Sequence, residues 1–161
     1  RPSNIVTLPH PGFMTDWQGP WAIFMTQAPR TSTIHETVYE NRFGYVDELA
    51  KMGADLEIFQ PKVENPKKFY NFRYQKNGKH ALRIYGKTNL HNAVLNIPDL
   101  RAGATLAIAA LIAKGESIIF GVEYLERGYE AFDRRLRALG ADIEEIEEPL
   151  ESPVGYERGV I

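Results

Sequence analysis

The sequence predicts an α/β fold built from a duplicated unit, and three observations predict it. Strand-like and helix-like stretches alternate along the chain, the order that makes layered α/β structure. A helix closed by glycine and followed by a strand occurs twice. Lys51-Met52-Gly53-Ala54-Asp55-Leu56-Glu57-Ile58 lines up with Ala138-Leu139-Gly140-Ala141-Asp142-Ile143-Glu144-Glu145, 87 residues on. Upstream, Thr31-Ser32-Thr33-Ile34 matches Gly115-Glu116-Ser117-Ile118, and Asn41-Arg42-Phe43 faces Glu126-Arg127-Gly128, at nearly the same separation. Two copies of about 85 residues are too few and too long for a solenoid. They suit a lobe in which like elements, Arg42 and Arg127 among them, occupy equivalent positions.

Taken in order, Asn4 to Leu8 is a short β-branched strand, and Pro9 and Pro11 turn the chain into a helix running to about Ala28. Thr15 with Gln18 three residues on has the capping-box spacing, which puts Asp16 at the helix start, a partly positive site that favours an anionic side chain. Pro20 lacks an amide hydrogen, so the first turn is expected to be irregular. Thr31 to Tyr39 reads as a strand. Val46, Leu49 and Met52 mark one face of a helix ending at Gly53, and Ala54 to Phe59 follows as a strand. In the second copy, Arg101 to Lys114 is a helix apolar nearly all round, Glu116 to Val122 is a strand, Phe132, Leu136 and Leu139 mark another helix face, and Asp142 to Ile146 closes the pattern.

The expected division is residues 1–59 as the first repeat unit, 60–79 as an insertion, 80–148 as the second unit and 149–161 as a loosely held tail. The insertion is distinct in composition. Lys62, Lys67, Lys68, Arg73, Lys76 and Lys79 interleave with Phe69, Tyr70, Phe72 and Tyr74, and Asn77-Gly78 is a hairpin turn signal. Basic residues alternating with aromatics can grip single-stranded nucleic acid; the plainer reading is a hairpin whose aromatics pack on the lobe.

Bulk properties narrow the chemistry. The chain has 161 residues, 43% of them hydrophobic, enough for a sizeable core, and a net charge of -2 that gives no general argument for nucleic acid. With no cysteine, a disulfide framework, a thiolate metal site and a cysteine nucleophile within this chain are excluded. No apolar run approaches the roughly 20 residues of a membrane span, and no signal-peptide order opens the sequence. A cytoplasmic protein is expected. His10, His35, His80 and His91 have no close metal-ligand spacing. Gly86-Lys87-Thr88 resembles the end of a phosphate-binding loop, but Ala81 stands where that motif needs glycine. No Gly-x-Ser-x-Gly occurs.

Three arginines stand out because each lies at an element end. Arg42 follows Glu40-Asn41, Arg101 follows Asp99-Leu100, and Arg127 precedes Gly128-Tyr129. Guanidinium forks match carboxylate and phosphate oxygens, so the set could hold a small dianion. Each could equally form a structural ion pair, with Glu40 and Asp99 as ready partners. Asp16 is open in the same way, as a cap residue or as a functional carboxylate. Arg134, Arg135 and Arg137 read as a solvated helix face.

The same residues carry a family resemblance. Pro11-Gly12-Phe13-x-Thr15-Asp16, Glu36-Thr37-Val38-Tyr39-Glu40-Asn41-Arg42-Phe43, Asp99-Leu100-Arg101 and Arg127-Gly128-Tyr129-Glu130 with Leu136-Arg137-Ala138-Leu139-Gly140-Ala141 occur in that order. Together they resemble the C-terminal part of the UDP-N-acetylglucosamine 1-carboxyvinyltransferase family of enolpyruvyl transferases. The related shikimate-pathway enzymes share the architecture but not the Glu-Asn-Arg-Phe and Arg-Gly-Tyr stretches. The resemblance implies a lobe of repeated βαβαββ units, an inside-out α/β barrel with about two units present, and substrates held in a cleft against a second lobe. It implies transfer of the enolpyruvyl group of phosphoenolpyruvate to the sugar 3-hydroxyl, with phosphate released and no metal or organic cofactor.

On the same basis, Asp16 matches the carboxylate at the sugar hydroxyl, and Val38 the position whose main chain holds the nucleotide sugar. Asp99, Arg101 and Arg127 match groups lining the phosphoenolpyruvate site, with Glu40 and Arg42 in support. Met14, Tyr45 and Pro98 depart from the family pattern, and residues 60–79 have no family counterpart. The family's catalytic acid, a cysteine or an aspartate, lies on the N-terminal lobe, so this chain alone is expected to be inactive.

Overall fold

A computed structural model describes residues 1–75, 78–146 and 159–160. The chain divides into two compact units, one formed by Arg1–Phe43 with Ala54–Thr88, the other by Gly44–Gly53 with Asn89–Ile161.

In the first unit, β1 (Asn4–Val6) pairs in parallel with β2 (Arg30–His35), as the β-branched residues of both stretches favour. Parallel neighbours need a crossover, and α1 (Gln18–Thr26) supplies it. β3 (Asp55–Phe59) lies at the far edge, and β4 (Ala81–Gly86) returns between β2 and β3, antiparallel to both, giving the order β1-β2-β4-β3. Ile34 stands opposite Leu82, which in turn faces Ile58. Ile34, Leu82 and Ile84 on the sheet pack with Ala22, Ile23 and Met25 of α1 into a core in which none exceeds 2% exposure. Burying such side chains contributes about 1.5–3 kcal/mol each.

The second unit repeats this order. β5 (Val94–Asn96) is parallel to β6 (Ile118–Phe120), with α4 (Leu100–Ile112) as its crossover, and β8 (Gly159–Val160) lies antiparallel between β6 and β7 (Glu145–Ile146). α4 is buried at Ala102, Gly103, Ala104, Thr105, Leu106, Ala107 and Ala109, as a helix apolar nearly all round should be. α2 (Val46–Lys51) lies between β2 and β3 in the chain but contacts β5 and α4, with Val46, Leu49 and Met52 buried. Its C-terminal turn ends at Gly53 with φ +87°, a conformation that glycine adopts without strain.

Several expectations change. The βαβαββ order is the expected one, but residues 80–88 close the first unit instead of opening the second, because β4 takes its hydrogen bonds from β2 and β3. The strand at Gly159–Val160 makes the chain end part of a sheet, not only a tail; residues 147–158 lie outside the described residues. Residues 60–75 and 78–79 contain no strand, and the expected hairpin is replaced there by the short helix α3 (Pro66–Phe69), which Pro66 starts with its fixed φ. Asn77 of the turn signal lies outside the described residues. On α6 (Phe132–Ala138), Phe132 and Leu136 are only half-buried and Leu139, just beyond it, is 85% exposed, so the marked face is not a closed core face.

Candidate functional site

In the first unit the site grows from the loop after β1. Leu8 donates its amide to the Phe13 carbonyl and Gly12 to that of Pro9, closing a turn that delivers Thr15 and Asp16. A side chain on Gly12 would put its Cβ 2.4 Å from that of Leu8, so only glycine lets the turn fold back this tightly. Thr15–Trp17 then forms one 3-10 turn before α1, the irregular start that Pro20 foretold. The capping box does not form, and Trp17 at the N-cap of α1 makes no side-chain capping bond.

Thr15 and Gln18 serve another residue. The Thr15 hydroxyl (2.8 Å) and Gln18 Nε2 (3.0 Å) both donate to Oε2 of Glu36, while the amides of Val38 (2.8 Å) and Tyr39 (3.0 Å) donate to its Oε1. Glu36 is 1% exposed. A buried carboxylate is tolerable only when so satisfied. Asn41 follows with φ 56°, a left-handed conformation that asparagine tolerates, and the chain turns so that Arg42 reaches back. Arg42 donates from Nε to Thr15 Oγ1 at 3.2 Å and from Nη2 to Asp16 Oδ1 at 2.7 Å. The partner of Arg42 is therefore Asp16, not the adjacent Glu40. The Asp16 side chain is 60% exposed and that of Arg42 13%, so a largely buried cation holds a carboxylate at the surface. Val38 is half-buried with its amide committed to Glu36.

Residues of the 60–75 stretch, with His80, pack beside this network. Tyr70, buried to 5% exposure, sits against the rings of His35, Phe69, Phe72, Tyr74 and His80, and its hydroxyl meets His35 Nε2 at 2.9 Å. Asn71 donates twice to the Thr37 carbonyl, and Glu36 donates its amide to that of His80. Aromatics used on one another in this way are not arranged as a platform for stacked bases. Burial lowers both His35 and His80 from the ordinary histidine value and raises the Tyr70 phenol to about 12.

In the second unit, Asp99 caps α4, its Oδ1 accepting from the amides of Arg101 (2.9 Å) and Ala102 (3.0 Å). Arg101 thus sits, exposed, in the first turn of α4, with its guanidinium beside the helix end that Asp99 caps. Arg127 closes the short helix α5 (Glu123–Glu126) and lies over the Tyr124 ring, 5.4 Å from its centroid. Any Cβ on Gly128 would fall 2.6 Å from Leu100 Cδ2, so this glycine lets the Arg127 turn approach the start of α4. Two exposed arginines at the ends of neighbouring elements carry guanidinium forks that suit the oxygens of a small anion. Glu40 is exposed on the loop after β2 and adds negative potential at His80.

The sequence reading missed Glu36, the residue that gathers Thr15, Gln18, Val38 and Tyr39. Its signals were its place at the head of the Glu36–Phe43 motif and an acid inside the β-branched run Thr33 to Val38, neither of which assigns it a role. Among the described residues no three His, Asp or Glu side chains form a group able to hold a metal, and no helix is long and apolar enough to cross a membrane.

Two sheets of identical strand order, with charged side chains at their element ends, place this molecule with the enolpyruvyl transferases. The solved structure of the enolpyruvyl transferase NikO from Streptomyces tendae superposes with a TM-score of 0.72 at 28% identity, over 88% of this chain and 28% of that one. The chain belongs to the EPSP synthase (3-phosphoshikimate 1-carboxyvinyltransferase) family, whose model matches residues 1–136. It is 48% identical over 139 residues to a UDP-N-acetylglucosamine 1-carboxyvinyltransferase of Protochlamydia amoebophila and 46% identical over 136 residues to one of Chlamydia pneumoniae. These matches cover 86% and 84% of this chain and 29% of each relative, so the chain spans less than a third of their length.

Proposed function

We propose that this chain is part of the second lobe of a bacterial, cytoplasmic enolpyruvyl transferase that uses UDP-N-acetylglucosamine and phosphoenolpyruvate in peptidoglycan precursor synthesis. The observation that carries the reading is the exposed Asp16 carboxylate fixed by the buried Arg42. In the reaction the sugar 3-hydroxyl oxygen bonds to C2 of phosphoenolpyruvate while its proton leaves and another is delivered to C3. Loss of a C3 proton then expels phosphate and restores the double bond. Asp16 orients the hydroxyl and accepts its proton, and the Val38 main chain holds the nucleotide sugar. Asp99 shapes the start of α4, and Arg101 and Arg127 balance the carboxylate and phosphate charges.

The remainder of the longer protein supplies the acid that protonates C3 and further cations, so the 161-residue chain by itself has no turnover. Metal and cofactor take no part in this scheme. The test is phosphate release by the full-length protein. Release that requires both substrates supports the reading; binding of either without release points to a non-catalytic module of the same fold.

A further inference from the structure

Glu36 is the one fully buried acid among the described residues, and the direction of its hydrogen bonds has consequences at Asp16. A carboxylate accepts only, so the Thr15 hydroxyl hydrogen is committed to Glu36 Oε2 and its oxygen lone pair is what remains for Arg42 Nε, 3.2 Å away. Guanidinium nitrogens share one rigid plane. Fixing Nε therefore fixes where Nη2 points, and it points at Asp16 Oδ1. The other carboxylate oxygen, Oε1, holds the amides of Val38 and Tyr39.

We propose that Glu36 is a positioning residue, which sets the Asp16 carboxylate through Thr15 and Arg42 and the Val38 main chain directly, so that both are referenced to one buried group. This rests on the function proposed above, which gives Asp16 and Val38 their tasks. Without the relay, Arg42 keeps its charge and loses its angle, and Asp16 Oδ1 loses the donor that sets its position.

Glu36→Gln disrupts the relay because an amide presents one acceptor oxygen and two hydrogens to a shell made only of donors. Thr15→Val removes the hydroxyl at nearly constant shape and leaves Glu36 three partners, whereas Thr15→Ser restores the hydroxyl. Arginine side-chain hydrogen exchange in the 161-residue chain reads the relay directly. In the native chain and in Thr15→Ser the Arg42 Nε–H is protected; in Thr15→Val and Glu36→Gln it exchanges about tenfold faster.

In the full-length protein, Thr15→Val lowers kcat about tenfold with KM for phosphoenolpyruvate unchanged, and Thr15→Ser recovers it. Should Thr15→Val fail to fold, Arg42→Lys removes the Nε donor, keeps the charge and shows the same loss. An Arg42 Nε–H still protected in Thr15→Val, or native kcat in a folded Thr15→Val, overturns the proposal. If the native full-length protein releases no phosphate, the proposed function falls, and the exchange comparison then decides the positioning role by itself.

Discussion

Arg42 donates from Nη2 to Oδ1 of Asp16 at 2.7 Å, joining two residues 26 positions apart across the first unit. The two ends of this pair differ in burial, and their stability effects should differ with it. An ion pair with one well-exposed partner is screened by water and contributes about 0.2–1 kcal/mol. Asp16→Asn should therefore change the urea midpoint little. Arg42→Ala also strips a donor from Thr15 and the packing of a mostly buried stem, and should cost about 1–2 kcal/mol. Equal losses in the two variants would contradict this asymmetry.

Asp99 is bonded to two amides that no helical carbonyl can reach. Asp99→Ala should cost about 1 kcal/mol, and Asp99→Ser, which keeps a cap acceptor, only a fraction of that. Thermal unfolding of the 161-residue chain checks the pair.

His35 and His80 supply a pH dependence. Both are held below the ordinary histidine value of 6.5, His35 by burial and then by the nearby His80, with Glu36 opposing; His80 by burial, with a Gln75 backbone contact and Glu40 opposing. Depressed histidine values mean that the unfolded chain takes up protons first as the pH falls. Stability is whole above about pH 6.5 and declines as the pH drops through the folded-state values. Melting temperatures measured from roughly pH 8 down to pH 5 should fall at the acid end. His80→Phe, which keeps the ring stacking and removes a buried Nε2 without a partner, should flatten that decline.

Arg127→Ala in the full-length protein should raise KM for phosphoenolpyruvate by about tenfold or more, the scale of a lost charge-assisted hydrogen bond, and leave the nucleotide-sugar KM nearly unchanged. Equal weakening of both substrates would remove Arg127 from the phosphoenolpyruvate side.

The repeat was legible because glycine-closed helices and β-branched strands recur in register, and the stretches around Gly53 and Gly140 alone align the two copies. What remained hidden depended on pairing between distant residues. β4 and β5 are too short or too mixed in pattern to be read alone, and β4 shows its place only through Ile34, Leu82 and Ile58 standing in register. Thr15 and Gln18 have capping-box spacing, a local signal, but Glu36, 21 and 18 residues away, takes both side chains, because a buried carboxylate gains more from them than an exposed helix end does. Asn77-Gly78 signalled a hairpin, yet the Tyr70 cluster draws residues 60–75 onto β2.

The central claim is that Asp16 works on the sugar hydroxyl, and steady-state phosphate release by full-length Asp16→Asn tests it most directly. The account predicts kcat lower by about a hundredfold, with the affinity for UDP-N-acetylglucosamine within about threefold of native. Native kcat in a folded Asp16→Asn protein would contradict it.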